Sequence, residues 1–360
     1  MPEPLNYPLF FMGAYSARGY VSRFEDVVNG PEYETYILKG AGGTLCTALI
    51  RRAVNALASA GVSAQLILAA DDPGRLAGAL FPAIKLAVFD GSPPECLYPQ
   101  YPGISGHLVD FGVCWQKEKL LQNKGAILAC YRERAELTGR AGRYLAAAGS
   151  LLSDGYRMGL EATDVRKAAR FAGSIARREF APKNREGSES RRFISGITSG
   201  GHVFMNGTVQ TLADRIYTVE DSQGAASRVI MAVLRAAALE NGYDIITCFC
   251  PISPDEKAEH IIIPELSLAF CTSSQTLKAE GTERGYHARR FTDLQKLRQH
   301  KQRLSFNKKA SRELLQSAVD SLAAAKAVNT RLEKHYLDAT DFTRAEEITA
   351  GVIKELVDKS

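Results

Sequence analysis

The chain has 360 residues, 45% of them apolar, and a formal net charge of only +5. That composition can bury two sizeable cores, and so slight a basic excess names no partner by itself. No apolar run reaches membrane-span length, the first residues lack the basic-then-apolar order of a secretory signal, and seven cysteines, an odd count, argue for reduced thiols, so a cytoplasmic location is expected.

In chain order, an apolar strand is expected at 35–38, followed by the glycine-rich turn Lys39-Gly-Ala-Gly-Gly-Thr44. A helix is read over 47–60, with Leu49, Ile50, Val54 and Leu57 on one face and Gly61 just past its end. A second strand follows at 64–69, then a short helix, then a third strand at 84–89 ending beside Asp90. Strand, loop, helix, strand, helix, strand is the grammar of a parallel α/β sheet. Residues 116–180 carry alanine and leucine at three- and four-residue spacing, expected as an antiparallel helical hairpin. Thr163 is positioned to cap its last helix, with the next Asp near the positive end.

The same grammar then repeats. Strands are expected at 216–219, 244–250 and 266–271, a helix at 227–241 ending before Gly242, and a helical region at 291–359 with Thr340 in the capping position. The duplication also shows in the letters. Leu145-Ala-Ala-Ala and Leu322-Ala-Ala-Ala lie 177 residues apart, as do Leu160-Glu-Ala-Thr-Asp and Leu337-Asp-Ala-Thr-Asp. Pro73 and Pro254 lie 181 apart, and Phe81-Pro matches Ile263-Pro at 182. A period this long means two domain-sized units. The expected division is a first domain with its helical extension at 1–180, a polar linker at 181–190, and a second such domain at 191–360. The two halves are expected to pack as an intramolecular pseudo-dimer.

Each half has a loop where a phosphate-binding G-x-x-x-x-G-K-[ST] motif would stand between strand and helix. In the first, Gly40 holds the first glycine position, Leu45 the second, Cys46 the lysine position and Thr47 the hydroxyl position. Gly40, Gly42, Gly43 and Thr44 could still present successive N–H groups as an anion nest at a helix start. Thr47 and Asp90 are the candidate Mg²⁺ ligands beneath a bound ATP. Loss of the lysine removes roughly 1.5–3 kcal/mol of charge-assisted hydrogen bonding, about ten- to a hundredfold in affinity, which a nest could survive. Efficient phosphoryl transfer could not. Lys39, Arg51 and Arg52 are the nearest substitute cations, although Lys39 precedes the loop and should point elsewhere, and a turn that merely connects strand to helix is an equal alternative reading. In the second loop Gly224 alone remains, with Ser227 and Arg228 at the lysine and hydroxyl positions. Glu220 and Asp221 there set negative charge where phosphates would sit. A purely structural domain is the better reading of that half.

Two further features have mainly structural readings. Cys248 and Cys250 alternate on a strand with His260 some way off, too few ligands for zinc and better read as core cysteines. The basic stretch 289–312 is either a solvated helix face or a site for a polyanion such as nucleic acid.

Asp90-Gly-Ser-Pro-Pro94, Pro99-Gln-Tyr-Pro-Gly103 and Leu108-Val-Asp-Phe-Gly-Val-Cys-Trp115 together resemble segments of an uncharacterised bacterial family of tandem P-loop ATPases. Phe10–Tyr20 and Arg192–Thr198 resemble the openings of its two halves, so the likeness covers nearly the whole chain. It implies two P-loop domains and ATP binding. The family's loops carry the lysine that Cys46 and Ser227 replace. Leu68, Ala69 and Glu95 stand where it places histidine, cysteine and histidine. The expected product is a tandem P-loop-like pseudo-ATPase with a regulatory or scaffolding role, an unidentified protein partner, and weak nucleotide or phosphate binding in the first half. The alternatives are an ATPase or small-molecule kinase using a displaced cation, and a polyanion binder.

Overall fold

The computed structural model describes residues 7–274, 278–279, 281 and 283–360. The first half runs β1 (Leu9–Phe11), β2 (Gly13–Ser16), β3 (Gly19–Ser22), α1 (Glu25–Val28), β4 (Glu34–Lys39), α2 (Gly42–Ser59), β5 (Gln65–Leu68), β6 (Leu76–Phe81), β7 (Leu86–Asp90), β8 (Gly106–Asp110), α3 (Lys117–Gln122), α4 (Lys124–Glu161) and α5 (Val165–Glu179). The second half repeats it: β9 (Glu189–Arg192), β10 (Ser195–Thr198), β11 (Gly201–Phe204), α6 (Asn206–Leu212), β12 (Arg215–Glu220), α7 (Ala225–Glu240), β13 (Ile245–Phe249), β14 (Ala258–Ile263), β15 (Leu268–Ser273), β16 (Gly285–His287), α8 (Leu294–Gln299), α9 (Lys301–Asp338) and α10 (Phe342–Val357).

Each half builds a six-stranded sheet of one order, β1-β5-β6-β7-β4-β8 and β9-β13-β14-β15-β12-β16. The fold is α/β, but the sheets are mixed rather than parallel. β6 runs antiparallel to both β5 and β7, as β14 does to β13 and β15. These two strands lie where a short helix was expected. All six residues of β6, Leu-Ala-Gly-Ala-Leu-Phe, are buried, so the segment has no polar face to reveal its period.

The expected helical hairpins are corrected too. α4 and α9 are each unbroken over 38 residues, about 57 Å. Each finds its antiparallel partner in the other half, not in its own. Arg134 donates to Asn329, Arg331 pairs with Glu133, and Arg303 with Asp154. Their middles meet through Ala141, Leu145, Ala318 and Leu322. Each long helix thus carries its successor across: α5 packs on α7 of the second half, and α10 packs on α2 of the first. The helix caps fall one residue later than expected. Asp164 and Asp341 accept the free N–H groups of α5 and α10, while Thr163 and Thr340 donate backwards to Gly159 and Tyr336. Gly61 and Gly242 do close their helices, both at φ +82°.

The halves share one core. Ile37, Ile67 and Phe89 from the first sheet meet Ile216, Cys248 and Ile262 from the second, with α1 and α6 at the margin. The outer face of the first sheet is covered by α2 and α10, and that of the second by α7 and α5. The expected linker is docked rather than free: Lys183 pairs with Glu265 and Arg185 with Asp244, and β9 begins at Glu189. No helix among the described residues is long and apolar enough to cross a membrane.

Candidate functional site

The first loop lies between the end of β4 and the start of α2. Gly40 has φ +75°, and a Cβ there would fall 2.5 Å from the Gly112 backbone nitrogen, so only glycine fits. α2 then begins at Gly42, five residues before its expected start, so Gly42, Gly43 and Thr44 form its first turn. The free N–H groups of that turn need an acceptor, and a carboxylate from the other half supplies it. Gly43 N donates to Glu333 Oε1 (2.9 Å) and Thr44 Oγ1 to Glu333 Oε2 (3.1 Å). Glu333 comes from the far end of α9. The cavity left between Ala41, Gly42, Thr44, Glu333 and Tyr336 is only ≈ 10 Å³, room for one water at most.

A cation from another segment does lie over the loop. Arg75, immediately before β6, lays its guanidinium over Gly43, so closely that a Cβ at Gly43 would fall 1.7 Å from Nη2. It pairs with Glu333 (3.2 Å) and stands 3.9 Å from Asp90. Lys39 points away from the loop, as its place before the turn implies, and neither Arg51 nor Arg52 reaches it. Lys39 donates to the Gly91 carbonyl and covers the Tyr98 ring, Arg52 pairs with Glu346, and Arg51 lines an open groove with Tyr7, Val54 and Asn55.

Asp90 ends β7 in register with Leu38, which sets its carboxylate beside the loop. It is 6% exposed and accepts from Ser92 N. Burial and the neighbouring Asp90 push the Cys46 thiol well above its usual range, so the residue at the lysine position is a neutral core thiol. The Thr47 hydroxyl turns away, bonded to both the N–H and the C=O of Leu76. The Thr47 hydroxyl is thus already engaged by backbone, and a guanidinium flanks the Asp90 carboxylate. That arrangement does not fit Mg²⁺, which takes oxygen ligands in a near-octahedral shell. Among the described residues no group of three or more His, Cys, Asp or Glu is placed to hold a metal ion.

More acid lines the same corner. Tyr20 donates to Glu95 (2.5 Å), whose carboxyl is pushed up to about 8 by burial, with Asp90 and Asp71 adding to the rise. Burial also raises Asp71. Arg75 is the guanidinium around which Asp71, Asp90 and Glu333 gather.

The second loop fills its nest from within. Asp221 Oδ1 accepts from Gln223 N (3.1 Å) and Gly224 N (3.0 Å), and Oδ2 from Ser227 N (2.9 Å). The carboxylate expected to repel phosphate there is itself the acceptor for the loop's N–H groups. Gly224 is left-handed at φ +72°, with Lys257 beside it. Lys257 precedes β14 as Arg75 precedes β6, 182 residues on in each case. It is held by Glu259 (2.6 Å). Arg228 lies 4.0 Å over the ring of Tyr156, which α4 delivers from the first half. Tyr156 and Glu333 are 177 residues apart, so each loop is covered by the equivalent helical position of the other half.

Cys248 and Cys271 flank His260 across three strands, all buried. Sequence reasoning missed Glu333 and Arg75, the two residues that decide the first loop. The repeat offered a signal for Arg75, a cation just before the same strand in both halves. Glu333 has no such signal, because its counterpart is a tyrosine. Comparison with models of protein families, with curated proteins and with solved structures gave no match to this chain.

Proposed function

We propose that this chain is a pseudo-ATPase built on two P-loop-like halves, with a scaffolding or regulatory role rather than turnover. The observation that carries the reading is Glu333, whose carboxylate accepts the hydrogen bonds that a phosphate at Gly43 and Thr44 would need. Asp221 does the same in the second loop. Nucleotide or free phosphate is then a weak occupant of the first loop, in competition with Glu333, and the long helices are surfaces for a protein partner. The supporting physics is electrostatic: a polyphosphate would enter among Asp71, Asp90 and Glu333 against one guanidinium.

The test is calorimetric titration with Mg·ATP to millimolar levels, run on the parent and on Glu333→Gln. The parent should remain far from saturation at millimolar levels, and Glu333→Gln should bind at least tenfold more tightly, without hydrolysis. A second reading, an ATPase or small-molecule kinase with Arg75 in the lysine's role, is favoured by the placement of Arg75 over Gly43. Turnover by the parent at about 1 s⁻¹ or more, abolished in Arg75→Ala, would replace the pseudo-ATPase reading with that one.

A further inference from the structure

The pole of the molecule beside the second sheet is unlike its counterpart beside the first. The C-terminal end of α4 meets the turn before α8 through a Thr163–Thr292 bridge, with Asp164 N donating to Phe291 O and Asp293 N to Ala162 O, both at 2.7 Å. Residues 157–178 and 284–312 therefore converge on one pole. Together they hold sixteen Lys and Arg against three acids, a surplus of 13 in a chain whose net charge is +5. The remainder of the molecule is thus net negative. At the equivalent positions 177 residues away, 107–135 and 334–355, the same elements carry eight cations and eight acids. The fold is satisfied by a neutral pole, so packing does not require the charge on this one.

The three acids are occupied. Asp164 and Asp293 cap α5 and α8, and Glu161 faces His300. Many of the cations are not. Arg166, Arg170, Arg289, Lys296, Lys301 and Arg312 are exposed, and none belongs to an ion pair among the described residues. They lie in ridges. Arg166, Arg170 and Arg177 follow one face of α5, and Lys301, Lys308 and Arg312 one face of α9, each ridge about 16 Å long.

We propose that this pole binds nucleic acid through its phosphates, without reading bases. A duplex presents one negative charge per about 1.7 Å of axis, so a 16 Å ridge meets several phosphates at once. An acidic bilayer fits less well. An interfacial helix needs a free apolar face, and that of α5 (Ala168, Ala172, Ile175, Ala176) is buried in the core that includes α7. The exposed apolar residues Val165, Leu294 and Phe306 belong to three different helices.

The experiment is fluorescence anisotropy of the full chain with a labelled 20-base-pair DNA duplex, from 50 to 200 mM salt. With about five phosphate contacts the affinity should fall a few hundredfold over that range. The double variants Arg166→Glu/Arg170→Glu and Lys301→Glu/Arg312→Glu should each weaken binding more than tenfold and reduce the salt slope by about 2. Lys117→Glu/Lys124→Glu, at the opposite pole, should change affinity less than twofold. Circular dichroism checks that all three are folded, and Gln replaces Glu in any that is not. No binding at 50 mM salt, a flat salt response, or equal weakening by the opposite-pole variant would overturn the proposal. So would co-sedimentation with phosphatidylserine vesicles in the absence of duplex binding.

Discussion

Glu333 and Asp221 answer one physical need from opposite directions. A helix start leaves N–H groups unpaired, and a carboxylate is a strong acceptor for them. Asp221 reaches three such groups from two to six residues away, so its role follows from local spacing. Glu333 reaches Gly43 across 290 residues, and no local pattern points to it. That neither loop carries the motif lysine was therefore legible in the sequence, but the group that fills the first loop was not. His260 gives a prediction at this scale. Its ring is 1% exposed and stacked on Phe204, and neither nitrogen has a hydrogen-bond partner among the described residues. Burial pushes it down to about 4. Folding keeps the ring neutral while the unfolded chain takes up the proton. The resulting stability is complete above the ordinary value of 6.5 and is lost as pH falls towards 4. His260→Phe should flatten the pH dependence of urea unfolding over that interval, by up to about 3 kcal/mol at its acid end. Parallel curves for parent and variant would mean that the ring takes up a proton without opposing the fold.

At the scale of elements, strands and helices with a polar side were read almost in place. The strand expected at 35–38 is β4 and that at 244–250 contains β13; the helix expected at 227–241 is α7 within two residues. β6 and β14 were missed because a strand buried on both faces has no alternation to read. The long helices were recognised as helical, but their partners were not, since an apolar stripe says that something covers it and not what. The contact they make gives a symmetric test. Leu145 and Leu322 are 177 residues apart, at most 1% exposed, and members of one cluster. Leu145→Ala and Leu322→Ala should each cost about 2–5 kcal/mol in chemical denaturation. The double variant should depart from the sum of the two, because they line the same space. A small effect at only one site would mean that the pair is not packed symmetrically.

At the scale of the molecule, neither half has all the parts that cover its own sheet. The first sheet needs α10, and the second needs α5. Residues 1–188 produced alone should therefore self-associate, exchanging α4 and α5 between copies, and co-production with 189–360 should restore a one-to-one complex. Light scattering after size exclusion distinguishes these states. A stable monomer of 1–188 would mean that α5 can fold back on its own sheet. The offset of 177 joins Leu145 to Leu322 and Thr163 to Thr340, so the duplication was visible in the letters, while the paired bridges Trp115–Thr340 and Thr163–Thr292 show the two-fold exchange only in the structure.

That exchange has a genetic consequence. In a swapped dimer of identical chains, every codon change appears at both sites at once, and a substitution tolerated at one is vetoed by the other. Once the copies are joined in a single reading frame, they can drift apart. One covering position is now glutamate and its twin tyrosine. One pole holds sixteen cations and three acids, and its twin eight of each. The joined chain keeps the architecture of a dimer while its two ends carry different residues, which no pairing of identical halves could allow.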